Sequence, residues 1–195
     1  MNDTLNYYEK NAEAFANGTV GVEFVDIQDR FVNLLPKNGY ILDYGCGSGR
    51  DTKYFISKGF RVDAVDGSEK LCRIASKNTG IVVKQMLFSE LNAIAKYDGI
   101  WACSSILHLP KKELHEVFHK MICATKSGGY IYTSFKYGEY EGYRNERFFT
   151  DFTRETFEEF INVYSGIEII EEWVSADARP GRGDEKWLNL ILRKN

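Results

Sequence analysis

The sequence lacks most of the features that would take it out of an ordinary water-soluble setting. No uninterrupted apolar stretch approaches the ~20 residues that a membrane helix needs, although 44% of the 195 residues are hydrophobic. The start, Met1 to Asn6, has neither the basic opening nor the apolar centre of a signal peptide, so a cytoplasmic protein is expected. Cys46, Cys72, Cys103 and Cys123 form no CxxC, which removes zinc and redox readings and leaves reduced small hydrophobes. His115 and His119 stand four apart on one helical stretch, but no third ligand accompanies them, so no metal is expected. A large charge of one sign is also missing. A formal charge of −3 offers no field for a phosphate backbone, and a nucleic-acid partner is not expected. No feature of the pattern sets an oligomeric state. The length suits one well-packed domain over residues 1–195 and is short for two.

What is present begins at Tyr40. The apolar run Tyr40 to Leu42 reads as a buried strand and breaks into Gly45, Gly47 and Gly49. Arg50 to Phe55 then has helical character, so the glycines lie on a strand-to-helix turn. There they let the backbone curl tightly and approach a ligand, and the helix start offers free N–H groups. A dinucleotide fingerprint would place a third glycine at position 50, where Arg50 stands. The spacing is G-x-G-x-G, with Asp43 two residues ahead. Some ~20 residues on, Phe60 to Asp66 alternates toward a second strand that ends in an acid followed by Gly67-Ser68. Asp66 is suited to accept hydrogen bonds from ribose hydroxyls. Its bland alternative is a helix cap, which Ser68 supplies equally well.

The remaining elements alternate. Leu5 to Asn17 and Val22 to Leu35 read as amphipathic helices. Helices are expected from Ser68 to Lys77, Lys111 to Thr125 and Phe152 to Tyr164. Strands are expected at Ile81 to Met86, Tyr97 onward, Tyr130 to Phe135, Ile167 to Val174 and Lys186 to Leu192. Lys136 to Thr150 has no clean period and reads as a loop, a candidate substrate lid by its position after a strand. His108 stands at a strand terminus, either as a general base or donor or as a structural histidine.

The run Asp43-x-Gly45-x-Gly47-x-Gly49, with the acid Asp66, the Gly128-Gly129 turn and the terminal hairpin, resembles class I S-adenosylmethionine-dependent methyltransferases. Gly49-Arg50-Asp51-Thr52 and Trp101 to Pro110 are similar to the small bacterial tellurite-resistance or TehB-like branch. The resemblance implies an α/β, doubly wound, Rossmann-like fold. Its sheet would have seven mostly parallel strands and end in an antiparallel hairpin strand, with N-terminal helices (about 4–35) over the cofactor. It implies S-adenosylmethionine as methyl donor, S-adenosylhomocysteine as product, and a small-molecule acceptor methylated by in-line displacement. The residues it implies for the donor are Tyr7, Tyr8 and Phe15 from the N-terminal helix, then Asp43, Gly45, Cys46, Gly47 and Gly49. Asp66 and Gly67 follow at the ribose, Met86 and Leu87 at the adenine, and Cys103 and Ser104 near the methyl.

His108 is the catalytic candidate. Tyr143 and Arg144 of the lid, with Arg179 and Arg182 of the hairpin loop, are candidates for acceptor binding, arginine being suited to anionic groups. Ala102 to Ser105 is unlike the Asp/Asn-Pro-Pro-aromatic run of enzymes that methylate base amines. Two other readings stay open. A NAD-dependent oxidoreductase is disfavoured by Arg50 and by the lack of a Tyr-x-x-x-Lys pair. A non-catalytic S-adenosylmethionine-binding module is disfavoured by the aromatic lid.

Overall fold

Residues 3–195 are described by a computed structural model, and Met1 and Asn2 of the expected 1–195 domain lie outside the described residues. The main sheet is built from β1 (Tyr40–Tyr44), β2 (Arg61–Asp66), β3 (Lys84–Gln85), β4 (Tyr97–Ala102) and β5 (Thr125–Lys136). A short hairpin, β6 (Glu141–Arg144) and β7 (Arg147–Thr150), stands apart, and β8 (Ile167–Ala176) and β9 (Lys186–Lys194) complete the main sheet. The seven strands run in the order β3-β2-β1-β4-β5-β9-β8. The first five pair in parallel, while β9 lies antiparallel to β5 and to β8. This is the doubly wound, mostly parallel sheet with an antiparallel terminal strand expected above. The strand order reverses beside β1, between β2 and β4, and such a switch opens a crevice at the carboxyl ends of the strands.

Both faces of the sheet are covered, which is why its central strands are apolar without alternation. Ile41, Leu42 and Tyr44 of β1 are all buried. The helices are α1 (Asp3–Lys10), α2 (Ala12–Thr19), α3 (Val25–Val32), α4 (Arg50–Ser57), α5 (Glu69–Thr79), α6 (Lys111–Ala124) and α7 (Arg154–Ile161). On one face Phe118, Phe135, Phe152 and Phe157 join α6 and α7 to the sheet. On the other, Phe31, Phe55, Trp101 and Tyr132 join α3 and α4 to it, with the Trp101 and Tyr132 rings stacked at 3.9 Å. Among the described residues no helix is long and apolar enough to cross a membrane.

Three elements differ from the sequence expectation. The stretch Leu5 to Asn17 is two helices that meet at Asn11, whose side-chain amide donates to the Tyr7 carbonyl (2.8 Å) in competition with the helical pattern. The third strand shrinks to Lys84–Gln85, because the Val83 N–H goes to Ser76 Oγ of α5 (2.9 Å) and not to β2. The segment 136–150 is a hairpin, not a loop. Asn145 and Glu146 both take positive φ (47° and 64°), the backbone of a tight two-residue hairpin turn. That hairpin is tied to the N-terminal helix, since the Phe148 N–H donates to Thr4 Oγ1 (2.8 Å).

Candidate active site

The glycine turn closes onto the neighbouring strand. The N–H groups of Gly45 and Cys46 both reach the Val65 carbonyl at 2.9 Å, which bends the chain sharply after β1. Gly45 adopts φ 88°, and a Cβ there would lie 2.5 Å from Ser105 Cβ, so no side chain fits. Gly47 donates its N–H to Asp66 Oδ2 (2.9 Å) and faces the Phe15 ring of α2.

Asp66 ends β2 and is only 9% exposed. Its Oδ1 accepts the Ser68 N–H (2.9 Å). Burial raises its pKa, and the backbone N–H groups of Ser68, Gly47 and Gly67 work against that rise. Ser68, not Asp66, caps α5, its hydroxyl accepting the Leu71 N–H. The capping alternative for Asp66 is therefore filled by its neighbour.

A cavity of about 410 Å³ runs beside these groups, from Asp66 and Gly67 past Gly45 and Gly47 to Met86, Leu87 and Phe88. Leu5, Tyr8 and Phe15 of α1 and α2 form its outer wall. A second cavity of about 150 Å³ lies toward β5 and β9, lined by Cys46, Arg50, Cys103, Lys136, Arg147, Arg179 and Arg182 among others. The two share one wall made of Tyr8, Phe15, Gly45, Gly47, Ser104 and His108. Ser104 there takes the left-handed φ of 51°, held by the Ser134 hydroxyl that accepts its N–H (2.9 Å). Such strain outside glycine persists where the surroundings fix it.

His108 lies on a single helical turn, Ile106–His108, six residues past the end of β4, and is 8% exposed. Its Nδ1 is 2.6 Å from the Phe148 carbonyl, and Nε2 is 2.7 Å from the Tyr8 hydroxyl. A carbonyl can only accept, so Nδ1 carries the proton and Nε2 accepts the Tyr8 O–H. Burial pushes the imidazole pKa down to about 4, so the ring is neutral in that tautomer. Tyr8 is itself buried, which raises its pKa, while the nearby Arg147 opposes the rise.

Behind the shared wall stands a buried polar knot. Asp51 accepts from Arg50 Nε and Nη2 (2.8 and 2.9 Å), from Trp101 Nε1 (2.9 Å) and from Gln28 Nε2 (2.6 Å). Asp43 accepts the Thr52 hydroxyl (2.5 Å), and its pKa is raised by burial first and by the Asp51 charge second. Burial pushes the Cys103 thiol up to about 12 and raises Cys46 as well, which disfavours both thiolates. Among the described residues no three His, Cys, Asp or Glu side chains are grouped to hold a metal ion.

The sequence candidates thus fall into groups. Tyr8, Phe15, Gly45, Gly47, Ser104 and His108 meet at the shared wall, and Asp66, Gly67, Met86 and Leu87 line the larger cavity. Cys46, Cys103, Arg179 and Arg182 line the smaller one. Asp43, Gly49 and Tyr7 line neither: Gly49 packs on Ala75 and Thr79 of α5, and the Tyr7 ring lies edge-on to Tyr8. Tyr143 is 54% exposed against Phe148, and Arg144 is held bidentately by Asp151, so these lid candidates point away from both cavities. Sequence reasoning did not single out Leu5, Lys136 or Arg147, which do line them.

Residues 41–129, from β1 to the first half of β5, match the family described as a methyltransferase domain. That stretch holds the glycine turn, Asp66 and the strand that leads to His108, so the site described above is the part of the chain that is similar to a methyltransferase domain. Over 117 residues it is 29% identical to the candidate methyltransferase YqeM of Bacillus subtilis, a match covering 54% of this chain and 47% of that protein. The chain therefore spans about half the length of that relative.

Among solved structures, the fold is similar to that of the 1,6-didemethyltoxoflavin-N1-methyltransferase of Burkholderia thailandensis with bound 1,6-didemethyltoxoflavin and S-adenosylhomocysteine. The TM-score is 0.76 at 20% identity, over 99% of this chain and 86% of that one. A TehB-like methyltransferase of Corynebacterium glutamicum gives a TM-score of 0.71 at 17% identity, over 97% and 99% of the two chains. At these identities the likeness is one of fold, and it includes the C-terminal β8–β9 pair that lies beyond the matched methyltransferase domain.

Proposed function

We propose that the protein is a cytoplasmic enzyme that moves a methyl group from S-adenosylmethionine to a small molecule, using one domain that spans the chain. The observation that carries this is the shared wall between a nucleoside-sized cavity and a smaller one. The larger cavity falls within the range usual for small-molecule sites, roughly 300–1,000 Å³. Its chemistry suits the donor: a buried carboxylate for the ribose hydroxyls, glycine backbone for close approach, and Met86 and Leu87 to flank the adenine.

When bound, S-adenosylmethionine supplies an activated methyl on a sulfonium sulfur. The chain's own task is alignment and exclusion of water. Tyr8 and Phe15, carried by α1 and α2, close the donor side, with Tyr7 packed edge-on against Tyr8, while Asp43 and Gly49 hold the turn to α4 and α5. The Ser104 turn and His108 stand where the two cavities meet. His108 fixes the direction of the Tyr8 hydroxyl, and as a neutral ring it adds no positive charge against a sulfonium. Arg179 and Arg182 lie on the acceptor side.

A crystal structure with S-adenosylhomocysteine tests this reading. The expected result has both ribose hydroxyls on Asp66 and the sulfur at the wall, facing the smaller cavity. A nucleoside seated in the smaller cavity, or a sulfur turned away from the wall, would refute it.

A further inference from the structure

Five cationic side chains line the smaller cavity, and four of them are paired with carboxylates of the protein. Arg50 is bound by Asp51. Arg179 is held bidentately by Asp177 at 2.9 and 2.5 Å. Arg182 pairs with Glu185 at 2.5 Å, and Lys136 is shared between Asp177 and Glu185. Three carboxylates thus serve four cations. The fifth cation, Arg147 at the start of β7, has no carboxylate within ion-pair distance among the described residues.

The surroundings of Arg147 are apolar. Its guanidinium lies 4.7 Å from the Tyr7 ring centre and 5.2 Å from that of Phe149. Its Nε is buried without a hydrogen-bond partner, and Nη1 has only a long contact to the Tyr8 hydroxyl (3.4 Å). Arg147 is half-buried, and a buried N–H left unused on a cation without a carboxylate is costly unless an acceptor completes it. The Nη1 end reaches Tyr8, a residue of the wall shared with the larger cavity.

We infer that the methyl acceptor is a small anion held by Arg147, and that it arrives at the wall already deprotonated. This rests on the methyl-transfer reading above and names its substrate class. The aromatic lining of Tyr8, Phe15, Phe24, Phe149 and Trp187 suits a flat carboxylate-sized or thiolate-sized group, and the cavity of about 150 Å³ admits only a small one. The acceptor's lone pair forms the new bond to the methyl carbon. The carbon–sulfur bond breaks, and its electron pair stays on sulfur. Anion and sulfonium thus give two neutral centres, and no proton needs a base. The neutral, doubly engaged His108 is consistent with a step that asks for none.

The test is calorimetric titration of the S-adenosylhomocysteine-loaded protein with acetate and benzoate, with acetamide and benzamide as neutral counterparts. At least one carboxylate is expected to bind about tenfold or more tightly than its amide, the worth of a charge-assisted pair. Arg147→Gln removes that preference, and Arg147→Lys keeps part of it, which separates lost charge from a misfolded variant. S-adenosylhomocysteine affinity stays within about threefold in Arg147→Gln, since no donor contact is removed.

Equal binding of carboxylate and amide to the native protein overturns the inference, as does a preference that survives Arg147→Gln. The donor also carries a carboxylate. If Arg147→Gln weakens S-adenosylhomocysteine but not 5′-methylthioadenosine, Arg147 belongs to the donor and the inference fails. Absence of S-adenosylhomocysteine binding by the native protein would instead refute the methyl-transfer reading, and titration of the unloaded protein still decides the charge preference.

Discussion

Asp66→Ala lowers the affinity for S-adenosylhomocysteine by about a hundredfold, through loss of two hydrogen bonds to a charged acceptor at ~1.5 kcal/mol each. The carboxylate is placed by β2 and oriented by the N–H groups of Gly47 and Ser68, so it reaches the cavity without moving. Asp66→Asn keeps one oxygen acceptor and is expected to lose about tenfold. Calorimetry reads both effects, and a thermal melt checks that the glycine turn survives. Loss of less than about threefold in Asp66→Ala, well under one charged hydrogen bond, would mean that the ribose lies elsewhere.

Asp51→Ala has the largest expected effect on stability, a loss of about 3–5 kcal/mol in urea denaturation. The change strands Arg50, whose side chain is 19% exposed, without its only carboxylate among the described residues. It also takes the acceptor from Trp101 Nε1 and Gln28 Nε2, two donors buried in the apolar layer. Arg50 lies over the Phe24 ring at 4.4 Å and lines the smaller cavity, so the variant also loosens that wall. A loss under about 1 kcal/mol would show that water replaces the carboxylate at little cost.

Much of this site is legible in the sequence because it is made by local backbone chemistry. The break from Leu42 into Gly45, Gly47 and Gly49 fixes a turn whatever the rest of the chain does, and the acid that ends β2 lies at the spacing that a βαβ unit imposes. Phe15 and Tyr8 were legible as aromatics on an amphipathic helix, although nothing local tells Tyr8, which faces the cavities, from Tyr7, which does not. That distinction depends on how α1 rotates against α5 and β7.

The smaller cavity is harder to read in the sequence for a physical reason. Asn145-Glu146 makes a tight hairpin turn without a glycine, so segment 136–150 reads as a loop. Arg144 and Arg147 face each other across that hairpin and both lie over the Phe149 ring, so the partner each finds, not the register, tells them apart. Arg144 goes to Asp151 and Arg147 to the cavity, yet the two sit three residues apart in similar surroundings. Likewise, Val83 is apolar enough for a strand, but a serine hydroxyl on α5 captures its N–H and the strand shortens. Side-chain capture, by Ser76 of the Val83 N–H and by Asp151 of Arg144, is an outcome that composition and period do not carry.

The central claim is that the larger cavity receives an adenosyl sulfonium donor. Calorimetric titration of the native protein with S-adenosylmethionine, S-adenosylhomocysteine and NAD in parallel tests it most directly. Saturable binding of the two adenosyl compounds with one site per chain, and none of NAD, is the predicted result. Binding of NAD with no response to either adenosyl compound would contradict it.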